Sequence, residues 1–448
     1  MGQPLRVIVV GAGFGGLGAA IECAERGMHV TLVERYPDSN SYGDIIDFFA
    51  NGGRIIARWG GGEVAEQLAA VTFNKVQDME LCKYDGKSLY RDPWYHRPKD
   101  TGLQFAGHRG AMHSVVAKFV EKMGVKLVFG KAVVDYRETP DRAGVVTSDG
   151  EEIWGDVVIA ADGARSLARE KVLGLKDEKS SSGWAIYRAF FEVSDETRKD
   201  PLLKDFTDPA RERIRIWISS ATTMLGYAWN SGKNIAWVLM HKMRPVPLTL
   251  LLQDTEDIAE SWSLPADKED VSPLLVDHDA VCRALLNATP RDRLIDYKLV
   301  FRKPVDTWVS RGGRSILIGD ACHCHLPSSA QGGSQALEDA VTVAVCLEKA
   351  NGDVPLALRA AERIRFNRSN VIHASGASNR DEWHEIDWNA LELDPKVLAN
   401  RRFPWMLDFD AKATAEEHFD RIAQDIKSGK QGTLEELSLP SGQTDEIA

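Results

Sequence analysis

Arg6-Val7-Ile8-Val9-Val10-Gly11-Ala12-Gly13-Phe14-Gly15-Gly16-Leu17 is the stretch from which the fold is read. Its apolar, largely β-branched opening predicts a strand over residues 6–10, and the glycines that follow predict a tight turn into a buried helix over 17–26. Gly27 stops that helix. Val30-Thr31-Leu32-Val33 then predicts a second strand ending at Glu34.

Strand, glycine turn, helix and strand make a βαβ unit of the Rossmann type, in which each glycine has its own task. Gly11 permits the turn, Gly13 lets a pyrophosphate approach the backbone, and Gly16 lets the helix pack on the strand. The helix N-terminus, with Phe14 and Gly15, faces the phosphates. Glu34 stands where a carboxylate accepts from ribose hydroxyls, with Arg35 beside it. The unit binds a dinucleotide but does not by itself separate FAD from NAD.

Working outward, 448 residues call for two interleaved domains and a terminal appendage, and 44% hydrophobic with 27% charged residues is the balance of a soluble globular chain. The net charge is −11 and no Lys/Arg-rich run stands out, so no nucleic-acid partner is expected. Arg211, Arg213 and Arg215 alternate along one segment and read as the solvated face of a strand. No secretory signal opens the chain, no apolar stretch is long enough to span a membrane, and the six cysteines are scattered without a disulfide framework. These features point to a cytoplasmic protein, monomer or homodimer.

Further along, helices are expected at 107–123, 338–349 and 411–427. Strands are expected at 126–129, 133–136, 156–161 and 315–318, and a hairpin over 145–153 turning at Asp149-Gly150. Residues 183–244 carry strands rich in Trp, Tyr and Ile, the texture of a second, sheet-based domain. Trp383, Trp388 and Trp405 fall in an irregular covering layer beyond Arg380, and 432–448 reads as a frayed tail.

Gly319-Asp320-Ala321-Cys322-His323, then Pro327, then Gln331-Gly332-Gly333-Ser334-Gln335-Ala336-Leu337-Glu338-Asp339-Ala340 resembles the second FAD-binding motif of the single-component, aromatic-ring-hydroxylating flavoprotein monooxygenases, above all the salicylate-hydroxylase-like branch of fungal type. Asp320 would accept from the ribityl hydroxyls, Gln331 to Gly333 would offer N–H groups to the flavin from a helix N-terminus, and Pro327 would lie near the isoalloxazine. Ala330 and Ser334 stand where many relatives have Gly and Asn. Asp162-Gly163-Ala164-Arg165-Ser166 resembles the Asp-Gly motif linked in that family with FAD and NADPH. Gly43-Asp44-Ile45-Ile46, with Asn51 and Arg54, resembles the segment that passes the flavin ring, and Arg109 the arginine that reaches the phosphate or ribityl region. Glu362, Arg365 and Arg368 match a family helix, where intrahelical ion pairs are the expected role.

Cys322-His323-Cys324-His325 offers four metal-ligating side chains, but successive residues of an extended chain point in alternate directions, so no metal site is expected.

The resemblance runs from about residue 5 to 408 and implies an α/β fold. A Rossmann-like FAD-binding domain of the p-hydroxybenzoate-hydroxylase (GR2) type is interleaved with a β-sheet substrate domain and a C-terminal helical segment. The implied division is 1–75, 106–178 and 301–375 for FAD, 76–105 and 179–300 for the substrate domain, and 376–448 for the cover. The resemblance further implies tight, non-covalent FAD, NADPH or NADH as transient donor, and dioxygen. The chemistry it implies is transfer of one oxygen from a flavin hydroperoxide to a phenolic or other electron-rich aromatic, with hydroxylation, dearomatisation or decarboxylation as outcome. Arg188, in Tyr187-Arg188, is the first-choice residue for holding the substrate anion, and Tyr227 the second. Rival readings are an oxidase or reductase on the same fold, or a binding protein that has lost flavin chemistry. The Trp-x-Trp-x-Ile-Pro run of flavin halogenases is absent from the sequence.

Overall fold

A computed structural model describes residues 3–38, 45–73, 76, 78–93, 103–243, 264–384 and 404–433. Strand Arg6–Val10 is the middle of a five-stranded parallel sheet, flanked by Val157–Ala160 and Ser315–Leu317 on one side and by His29–Val33 and Lys126–Val128 on the other. These strands are apolar throughout because both faces are covered. Helices Phe14–Glu25, Arg109–Lys122 and Gly332–Lys349 pack around them, together with a three-stranded antiparallel sheet of Val133–Glu138, Ala143–Thr147 and Glu152–Gly155. Gly150, at φ +84°, turns the hairpin where expected.

The second sheet has eight strands, in the order Leu264–Pro265, Leu294–Arg302, Lys179–Glu192, Asn234–Lys242, Thr222–Trp229, Arg213–Ile218, Asp78–Lys83 and Ser88–Pro93. Neighbours are antiparallel except Arg213–Ile218 beside Asp78–Lys83. Alternation of side chains gives it two buried faces. One, with Phe190, Ile214, Ile216, Leu225 and Tyr227, packs on Phe73 and on Ala106 and Ile45 of the two-stranded sheet Ile45–Phe48 and Phe105–His108. The other, with Ala189, Phe191, Trp217 and Trp237, packs on helix Ala280–Ala288 through Cys282, Leu285 and Leu286.

Several expectations are corrected. The first helix begins at Phe14, not residue 17, because Gly13 already adopts the extended cap geometry at φ −69°, ψ 175°. The helix expected at 338–349 begins at Gly332, since burial of its first turns outweighs the poor helix propensity of Gly332 and Gly333. Residues 107 and 108, expected to open a helix, instead end the strand Phe105–His108, which pairs with Ile45–Phe48, and the helix begins at Arg109. Helix Val354–His384 was read only as a motif, and its backbone continues past Arg380, where an irregular layer was expected. Arg213 and Arg215 do not line a solvated face: Arg213 pairs with Asp205 at 2.9 Å and Arg215 with Glu80 at 2.7 Å, half-buried. Trp388 and residues 434–448 lie outside the described residues. Helix Ala411–Lys427 falls where expected, and Trp405 sits in the short helix Pro404–Leu407. Among the described residues no helix is long and apolar enough to cross a membrane.

Candidate active site

The glycine turn separates the three tasks assigned to it. Gly11 has φ +97°, and a Cβ there would meet Ala161 O at 2.5 Å. A Cβ on Gly16 would meet Gly11 O at 1.8 Å. At Gly13 a Cβ would meet nothing within 4 Å, leaving open ground before a helix N-terminus that no side chain caps. Uncapped N–H groups behind an open approach fit a pyrophosphate. Gly15 turns instead to the helix Gly332–Lys349, its added Cβ lying 3.2 Å from Ala336 Cβ, and Phe14 stands edge-on to Phe48 at 4.8 Å. Glu34 is already engaged: Ala12 N donates to Oε2 at 2.6 Å and Tyr36 N to Oε1 at 3.0 Å, so the carboxylate first ties the turn to the strand end. Arg35 is exposed, its guanidinium 5.1 Å from the Tyr36 ring centre.

At the other end, Gly319 has φ +58°, and its N–H donates to Asp339 Oδ2 at 3.0 Å. Arg169 grips the loop through Asp320 O at 2.8 Å and Ala321 O at 2.7 Å. Burial pushes the Asp320 carboxyl up, opposed by His323 and by the guanidinium groups of Arg109, Arg169 and Arg302. Arg109, the first residue of helix Arg109–Lys122, thus shares one electrostatic site with Asp320. Gly332 opens toward His325 and Asp320, and a Cβ on Gly333 would meet Phe48 Cε1 at 2.9 Å. Pro327 begins an exposed turn, and Ala330 holds φ +50°, a left-handed conformation that costs a non-glycine residue about 1 kcal/mol or more.

Asp162 accepts from Tyr136 Oη at 3.2 Å and Leu167 N at 3.1 Å, while its Oδ1 has no partner among the described residues. Burial raises its pKa. Gly163, at φ +81°, has open space where a Cβ would stand. Ile45 is half-buried beside His108, and Asp44 lies outside the described residues.

The sequence reading missed the buried network beneath the flavin loop. Glu338 accepts from Arg365 Nη1 at 2.5 Å, Arg368 Nε at 2.8 Å and Asn51 Nδ2 at 2.7 Å. Burial pushes Glu338 up, but Arg368 and Arg365 outweigh it and hold the carboxyl below its ordinary value. Arg365 and Arg368 therefore bridge to another helix rather than pairing within their own, and Glu362 accepts from Thr307 Oγ1 at 2.6 Å. The signal that could have found them is the pair Glu338-Asp339, two adjacent acids in a helix buried from Ser334 to Leu347.

Ligand atoms of Cys322, His323 and Asp339 lie within 4.8 Å of one another, yet each is otherwise engaged. Asp339 receives His323 at 2.5 Å and Arg365 at 2.9 Å, and the Cys322 thiol, pushed up by burial, donates to Gly319 O. A thiol that burial keeps protonated and a carboxylate already taken by a guanidinium and an imidazole are bound into the loop itself.

On the eight-stranded sheet Tyr187 and Arg188 part company. Tyr187 faces helix Ala280–Ala288 and stacks on His241 at 5.0 Å, whereas Arg188 faces the cofactor side, 7% exposed, between Ile186 and Phe190 along the strand and Val238 and Ile295 across it. Tyr227 shares that face and stacks on Phe73 at 6.0 Å. A cavity of about 420 Å³ opens on it, lined by Thr72, His108, Ala111, Phe190, Glu212 and Trp229 among others; neither Arg188 nor Tyr227 lines it.

Models of FAD binding domains match residues 6–58 and 295–354. The chain is 33% identical to a flavin-dependent monooxygenase, pboD of Aspergillus ustus, over 95% of this chain and 94% of that protein. The structure of CtdE in complex with FAD and substrate is 28% identical with a TM-score of 0.86, covering 94% of this chain and all of that one. A salicylate hydroxylase substrate complex, 22% identical with a TM-score of 0.73 over 94% of this chain and 98% of that one, shares the fold. FAD is thus the cofactor of this chain, and the open approach at Gly13 and the loop at Asp320 have the form that fits it.

Proposed function

The chain belongs to the fungal class A, single-component FAD-dependent monooxygenases, and from that premise we propose that it uses NADPH or NADH and dioxygen to oxygenate a phenolic or other electron-rich aromatic substrate. The observation that carries the substrate class is Arg188, a guanidinium 7% exposed on the cofactor-side sheet face among Ile186, Phe190 and Val238. A guanidinium that is always charged favours the anionic form of an acidic ring hydroxyl brought near it, and a phenolate is the better nucleophile.

Bound FAD supplies the activation of dioxygen. Gly13 and the uncapped helix behind it hold the pyrophosphate, Glu34 the adenosine ribose, Arg109 and Asp320 the middle of the cofactor, and Gln331 to Gly333 its flavin end. The apolar face around Arg188 keeps water from the reacting carbon, and Tyr227 borders the same face. Asp162 and Gly163 lie beside the phosphate turn through Ala161, where the family's Asp-Gly motif serves both nucleotides.

The test is NADPH and NADH oxidation against a panel of phenols, indoles and aromatic acids, with each hit analysed for incorporated oxygen. Substrate-stimulated oxidation with an oxygenated product supports the proposal. Turnover of a substrate without NADPH or NADH, releasing hydrogen peroxide stoichiometrically, makes the protein an oxidase instead.

A further inference from the structure

Gln331 occupies the N-cap position of helix Gly332–Lys349 without a side-chain cap bond, and the residue is 1% exposed. Two donors meet its carboxamide oxygen, Asn51 Nδ2 at 2.8 Å and Gln335 Nε2 at 3.5 Å. The sense of both is imposed from further back. Arg365 Nη2 donates to Gln335 Oε1 at 2.6 Å, and a guanidinium has no acceptor, so Gln335 must turn its nitrogen toward Gln331. Glu338 Oε1, held ionised by Arg365 and Arg368, accepts from Gln335 at 3.1 Å and Asn51 at 2.7 Å, so Asn51 also turns its nitrogen inward. A flipped Gln331 would set its own NH2 against two N–H donors. Its Oε1 therefore faces the network, and among the described residues none accepts from its Nε2.

We propose that Gln331 Nε2 is a side-chain hydrogen-bond donor to the flavin end of bound FAD, and that Asn51 is the positioning residue that holds the amide in that sense. A donor without a protein acceptor among the described residues, on a residue 1% exposed, is matched by the carbonyl and ring-nitrogen acceptors of a flavin. Two-electron reduction adds negative charge to that ring system, and a hydrogen bond to a charged acceptor is stronger than one to a neutral acceptor. The donor therefore favours reduced over oxidised FAD and raises the midpoint potential. The inference rests on FAD binding, not on the proposed substrate class, and its test requires no substrate.

The test is potentiometry of the holoprotein, reduced stepwise by dithionite against reference dyes, for wild type, Gln331→Met, Asn51→Ala and the double variant. Gln331→Met is expected to weaken reduced FAD about tenfold relative to oxidised, a midpoint lower by about 30 mV for a two-electron couple. Asn51→Ala is expected to move it the same way, and the double variant no further than Gln331→Met, since Asn51 acts through Gln331. A merely structural role lowers thermal stability and leaves the midpoint alone. A Gln331→Met midpoint equal to wild type overturns the proposal, as does a shift by Asn51→Ala that adds fully to that of Gln331→Met. Where Gln331→Met does not retain FAD, Asn51→Ala decides alone, an unchanged midpoint counting against it.

Discussion

The main-chain N–H of Ala12 donates to Glu34 Oε2 at 2.6 Å, and through that contact the end of one strand closes over the glycine turn of another. Glu34 is thus part of the scaffold before it touches a ribose. Glu34→Ala is expected to lower apoprotein stability by about 2 kcal/mol, the scale of a hydrogen bond to a charged group, and to weaken FAD as well. Thermal melting of the apoprotein with FAD titration checks both. An apoprotein that melts unchanged would mean that Glu34 serves the cofactor only.

Gly13 and Gly16 lie three residues apart and are expected to respond in opposite ways. A Cβ on Gly13 meets no protein atom within 4 Å, so Gly13→Ala keeps the apoprotein fold, its melting temperature close to wild type, while intruding on the pyrophosphate approach and weakening FAD at least tenfold. Gly16→Ala drives a methyl to 1.8 Å from Gly11 O and is expected to prevent folding of the first βαβ unit. Circular dichroism and flavin absorbance of the two purified variants separate the cases.

Because Tyr187 and Arg188 face opposite ways, the pair offers an internal control. Arg188→Ala is expected to cut kcat/KM about a hundredfold, roughly 2.7 kcal/mol of barrier, and to lower the product formed per coenzyme oxidised. Tyr187→Phe, on the helix-packed face, is expected to stay within about twofold. Turnover of Arg188→Ala equal to wild type would remove Arg188 from the site.

Burial, with His323 nearby, holds His373 down at about 4, and burial first, with the neighbouring His323, His373 and Arg365 adding to it, holds His325 well below its ordinary value. A folded-state pKa below the unfolded one means that the neutral imidazole favours the native state above about pH 6.5. For His373 that contribution is lost as pH falls from there toward 4, by up to about 1.4 kcal/mol per pH unit. His373→Gln is expected to flatten this acid limb of stability between pH 6.5 and 4. Denaturant melts at half-unit pH steps measure it.

The legible parts of this protein are those decided by neighbours in the chain. The apolar run 6–10, the glycines at 11, 13 and 16 and the acid at 34 define the βαβ unit because each acts within one or two turns of backbone. Gly319-Asp320 at a strand end was readable for the same reason. Helix Val354–His384 was not, since Arg365 and Arg368 look like surface residues until helix Gly332–Lys349 brings Glu338 to them from 27 and 30 residues away.

Alternation along a strand settles from sequence that Tyr187 and Arg188 point apart. Which of them looks toward the cofactor depends on how the eight-stranded sheet docks, with Phe73, Ala106 and Ile45 on one face and helix Ala280–Ala288 on the other. Gln331 is the sharpest case: its place in the motif is written in the chain, but the sense of its amide follows from Arg365, Gln335, Glu338 and Asn51. Those residues meet only in the folded core, where a donor-only guanidinium and an acceptor-only carboxylate leave one consistent pattern of hydrogen bonds.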